Sequence, residues 1–144
     1  VSQLVFRYDD QDIPDGCIMR SRGDHFDGLT ADEKVVEQAI RALLPNGCGV
    51  RSTSLYTWES ENLVRRLWPL SKKNFLYKLE IEEEHIRFRG DLNWFSEAVQ
   101  AVTRGESPDR AVGDYCSGAL AGHPWTEPRV EILVFQAKVM TKLS

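Results

Sequence analysis

From Asn74 to Glu82 the side chains alternate. Phe75, Tyr77, Leu79 and Ile81 fall on one side, and Leu76, Lys78 and Glu80 on the other. A period of two belongs to a β-strand with one strongly apolar face. Such a strand needs partners along its edges and a layer over that face, so this segment commits the chain to a sheet.

Other segments follow the helical period. Thr30-Ala31-Asp32-Glu33 sets a hydroxyl three residues before a glutamate, the signature of a capping box. Val35, Val36, Ala39, Ile40 and Leu43 then recur on one helical face, and Pro45-Asn46-Gly47 is the expected stop. Ser60 is positioned to cap a short helix carrying Leu63, Val64 and Leu67, ended by Pro69. Asp91 or Asn93 opens a helix that turns Trp94, Phe95, Ala98, Val99 and Val102 inward. Ser107-Pro108 enters another that runs to about Ser117, with Gly118 beyond its end.

Strands are expected over Gln3–Arg7, over Gly49–Thr57, and at the end of the chain over Arg129–Phe135 and Lys138–Leu143. The last two are close enough for a hairpin or a bend. Tyr8 to Gly16 reads as an acidic loop, and Arg20 to Gly28 as irregular. Helices gather in the middle and strands at the ends, which favours an α+β fold over regular βαβ winding.

The chain's 144 residues suffice for one domain with its own core. Its net charge of −4 gives no general attraction to nucleic acid. No apolar run reaches the ~18 residues of a membrane span. Cys17, Cys48 and Cys116 are odd in number and widely spaced. They form neither a disulfide framework nor a metal knuckle, so no metal is expected and a reducing compartment is. Neither a G-x-G-x-x-G run nor a P-loop occurs. The sequence starts at Val1 without a signal-peptide pattern, so the expectation is a single domain, residues 1–144, carried by or trimmed from a larger protein.

Three short pieces carry chemistry. Phe6-Arg7-Tyr8-Asp9 puts a guanidinium near the end of a strand, where its fork suits a phosphate or carboxylate. Arg51-Ser52-Thr53-Ser54-Leu55-Tyr56 offers small hydroxyls that let a ligand approach the backbone, with Tyr56 as a stacking wall. Val130-Glu131-Ile132-Leu133-Val134 embeds a carboxylate in an apolar strand, which is costly unless the acid is paired or functional. Read singly, the first two equally suit a surface ion pair and a polar strand face.

In this order the three pieces resemble the mono-ADP-ribosyltransferases of the cholera- and pertussis-toxin type. That branch carries an Arg on its first strand, Ser-Thr-Ser on a following strand and a Glu on a later one. The matching residues are Arg7, Ser52-Thr53-Ser54 and Glu131. The resemblance implies a split β-sheet core with flanking helices around an NAD cleft. It implies NAD as substrate, Arg7 on the pyrophosphate or adenosine-side ribose, Ser52 on the nicotinamide-side ribose, and Glu131 as the catalytic acid. Tyr56 would stack near the nicotinamide.

Arginine-modifying members carry Glu or Gln two residues before the catalytic Glu, whereas Arg129 stands there in this chain. The resemblance therefore implies a macromolecular acceptor of another kind, protein favoured over RNA or DNA. It also implies a toxin or effector that acts in the cytoplasm of a target cell after delivery by a larger protein, with an immunity or antitoxin protein as partner. Two alternatives stand beside it: an NAD glycohydrolase using the same residues, and a non-enzymatic immunity-type binding module.

Overall fold

A computed structural model of the chain describes residues 2–22, 25–44, 50–121 and 127–144. They form an α+β fold with seven strands and four α-helices. The strands are β1 (Ser2–Asp9), β2 (Ile18–Arg20), β3 (Leu55–Trp58), β4 (Phe75–Glu82), β5 (Ile86–Asp91), β6 (Val130–Val134) and β7 (Gln136–Lys142). The helices are α1 (Ala31–Leu43), α2 (Glu61–Ser71), α3 (Leu92–Thr103) and α4 (Asp109–Ser117). The chain divides into two compact units, one of residues 1–21, 54–88 and 131–144, the other of 22–53 and 89–130.

The first unit is built on the sheet, in the order β2-β7-β4-β1-β3-β6-β5. β1 pairs antiparallel with β4 along its whole length, Ser2 opposite Glu82 through Asp9 opposite Phe75. It meets β3 at one position only, Phe6 opposite Trp58. β3 then runs antiparallel to β6, with Trp58 opposite Glu131 and Leu55 opposite Val134.

One residue, Phe135, separates β6 from β7, so the strand ends lie within ~7 Å of each other. Yet four strand steps part them in the sheet, roughly 19 Å if it were flat. This sheet is therefore sharply curled, and the single β1–β3 pairing position is a natural place for the bend. The expected terminal hairpin does not form. β6 pairs with β3, while β7 pairs with β4 and β2.

One sheet face buries Val5, Leu55, Tyr77, Leu79, Ile81, Ile132, Val134 and Val139 with Met19 and Ala137. The alternation of β4 is thus realised, its tyrosine and aliphatic residues facing this core. The second face carries buried Phe6, Trp58, Leu76 and Leu133. Helix α2 packs across β1 and β3 and buries Leu63 and Val64, which lie outside the first cluster, so it covers this second face. Pro69 does not end α2. The helix runs to Ser71 and stops at Lys72, which adopts a left-handed conformation with φ 61°.

The second unit packs α1, α3 and α4 together. The capping box forms as expected: the Thr30 hydroxyl accepts from the Glu33 amide, and the Glu33 carboxylate accepts from the Thr30 amide. The Pro45-Asn46-Gly47 stop lies outside the described residues. Arg51 is buried in this unit. It donates to Glu37 at 2.6 Å and to the Tyr115 hydroxyl at 2.7 Å, with the Phe95 ring 4.1 Å from its guanidinium carbon. Asp91 caps α3 through the Asn93 amide and also accepts from the amides of Ala121 and Arg129.

Candidate functional site

Glu131 lies on β6, between β3 and β5, and is fully buried. Its strand neighbours dictate this. Residues directly opposite each other in an antiparallel pair share a face, so Phe6, Trp58 and Glu131 form one row across β1, β3 and β6. Tyr56, opposite Leu133, stands on the same face one diagonal step from Glu131. Tyr8, two residues beyond Phe6, is on it too. Its ring centroid is 6.5 Å from that of Trp58. Burial holds the Tyr8 phenol above its usual pKa, the Arg7 charge works against this, and the Glu131 carboxylate adds to it.

Arg7 emerges on the other face, opposite Tyr77 in β4. Its guanidinium donates through Nε to Asp9 at 3.0 Å and through Nη1 to the Tyr56 carbonyl at 2.9 Å, with Nη2 2.9 Å from Asp9. It ties β1 to the neighbouring strand rather than lying beside the Glu131 carboxylate. An anion gripped by this fork would compete with Asp9.

The Ser-Thr-Ser element is not on a strand. Of the expected Gly49–Thr57 strand, Gly49 lies outside the described residues; residues 50–54 have turn and bend geometry, and the chain is extended from Leu55. Polar contacts explain the difference. The Ser52 hydroxyl accepts from Arg41 of α1 at 2.7 Å, and the Ser52 carbonyl accepts from the His25 amide at 2.8 Å. Arg51 is pulled towards Glu37 and Tyr115. These groups hold the backbone in a turn that no sheet partner straightens. Ser52 and Thr53 belong to the second unit, Ser54 and Tyr56 to the first. The Ser54 hydroxyl accepts from Arg87 at 3.2 Å.

A cavity of about 120 Å³ lies at β2, β4 and β7, with Glu80, Glu82, His85 and Lys138 in its walls, and none of the six candidate residues lines it. Among the described residues no three His, Cys, Asp or Glu side chains are grouped to hold a metal ion. No helix there is long and apolar enough to cross a membrane.

The first strand runs beyond the expected Gln3–Arg7 to Asp9, because Tyr8 continues the alternation of Leu4 and Phe6 on the face that Glu131 shares. No protein-family model matches the chain, and no curated protein matches it.

Proposed function

We propose that the chain is a mono-ADP-ribosyltransferase, with Glu131 as its catalytic residue and NAD as its substrate. The observation that carries this reading is the adjacency of β1, β3 and β6, the strands that bear Arg7, follow Ser-Thr-Ser, and bear Glu131. Arg7 and Glu131, far apart in sequence, thus lie on strands that both flank β3, the strand that follows Ser-Thr-Ser. The curl of the sheet at the β1–β3 pairing suits a split-sheet core with an NAD cleft.

In this reading the bond between the nicotinamide nitrogen and ribose C1′ breaks, and nicotinamide leaves with the electron pair. Positive charge grows on the ribose ring, as in glycoside hydrolysis. Glu131 accepts a hydrogen bond from the ribose 2′-hydroxyl and stabilises that charge, most strongly in the transition state. The acceptor nucleophile then bonds to C1′ and loses its proton. Tyr56 stacks near the nicotinamide. Arg7 holds the strand edge at Tyr56 and exchanges Asp9 for a phosphate when NAD binds. The acceptor is a macromolecule, protein before nucleic acid, in the cytoplasm of a target cell, and a cognate immunity protein is the expected partner.

Incubation with NAD labelled on its adenylate and a cell lysate tests the reading. Label is expected on a macromolecule. Glu131→Gln is expected to keep the fold and lower turnover about 10²–10³-fold. Free ADP-ribose with no labelled macromolecule would identify a glycohydrolase using the same carboxylate. No NAD consumption would favour an immunity-type binding module.

A further inference from the structure

The cavity at β2, β4 and β7 is lined by Ile18, Glu80, Glu82, His85, Gln136 and Lys138. All six belong to the first unit. Cross-strand register sets their order. Glu80 of β4 stands directly opposite Lys138 of β7, and Lys138 stands directly opposite Ile18 of β2. Directly opposite residues share a face, so one row across three strands reads carboxylate, ammonium, aliphatic. Glu82, two residues from Glu80, adds a second carboxylate to that face. Opposite charges that face each other across a ladder attract. Yet among the described residues neither Glu80, Glu82 nor Lys138 makes a side-chain hydrogen bond or an ion pair. Their side chains border about 120 Å³ of open space instead, room for several water molecules. Glu80, Glu82 and His85 are not grouped to hold a metal ion either. The lining suits a polyatomic ligand that carries both charges itself.

We propose that this cavity binds a free aliphatic α-amino acid. Its ammonium donates to Glu80 and Glu82, its carboxylate accepts from Lys138, and its side chain lies against Ile18. The ligand bridges the two charges that the sheet sets opposite each other and gives each a charge-assisted hydrogen bond. A simple amine would leave Lys138 facing a like charge, and a simple carboxylate would face two. The site is independent of the transferase reading, because none of the residues assigned to NAD lines it.

Isothermal titration calorimetry on the whole chain tests this with L-valine, isovalerate and isobutylamine. The last two are valine without its ammonium and valine without its carboxylate. L-Valine is expected to bind, and each analogue to bind about tenfold more weakly or worse. Glu80→Gln and Lys138→Gln are each expected to weaken L-valine by about tenfold or more, the loss of a hydrogen bond to a charged group. Both positions lie outside the apolar cluster, and far-UV circular dichroism confirms that the variants fold. Absence of L-valine binding to the wild-type chain overturns the proposal. Isobutylamine binding as tightly as L-valine would mark a cation site and overturn it, and isovalerate doing so would mark an anion site with the same result. L-Valine affinity unchanged in both variants would place the ligand elsewhere on the chain and overturn it as well.

Discussion

At the scale of single residues, the molecule separates two kinds of buried charge. Arg51 and Glu37 satisfy each other, with Tyr115 and the Phe95 ring completing the guanidinium's surroundings. Removing one partner would leave the other charge buried without its counter-ion. Arg51→Ala is accordingly expected to cost about 3–5 kcal/mol of stability, measured by urea unfolding. Glu131 stands on a strand face whose neighbours across the strands are the aromatic Trp58 and, one strand further, Phe6. Its oddness was legible in the sequence because an acid inside Val-Glu-Ile-Leu-Val breaks the local pattern. Arg51 and Glu37 gave no such signal. Each stands beside a polar residue, Gln38 or Ser52, and only the packing of α1 against α4 reveals that both are buried. The faces of Arg7 and Glu131 were equally hidden, since they depend on cross-strand register.

Elements were more legible than sites where a local rule set their ends. The capping box at Thr30 is complete at the sequence level and complete in the structure. Thr30→Ala is expected to cost about 1 kcal/mol, read as a lowered urea midpoint with an unchanged slope. The β4 alternation and the cap at Ser60 also carried through. Reading failed where a distant partner decides. β2 is three residues long and extended only because β7 lies beside it. β5 lies in a charged stretch with little apolar signal. Pro69 illustrates the opposite error. A proline inside a helix forfeits one backbone hydrogen bond, yet α2 continues for two more residues to Ser71.

At the scale of the whole molecule, no sequence window could reveal the sheet order. β7 lies between β2 and β4, from which it is widely separated in sequence. Its Ala137 and Val139 complete the apolar cluster around Leu79 and Met19. A chain lacking residues 131–144 would lose β6, β7 and the Glu131 site together. Such a truncation is expected to abolish cooperative thermal unfolding, followed by circular dichroism, rather than merely lower the midpoint. The α+β class was readable because it depends on the order of local patterns. The curl was not, because it arises from having one residue between two strands that bind distant parts of the sheet.

That placement of β7 has a consequence for the order of assembly. During synthesis, β1 and β4 emerge early and can pair, while β2 remains without its neighbour until Gln136–Lys138 leaves the ribosome. Until then the Tyr77–Glu80 edge of β4 is an unpaired strand backed by apolar side chains, the kind of surface that associates with other chains. The nascent protein is therefore expected to be most prone to aggregate before β7 arrives, and β2 forms only as β7 pairs along β4.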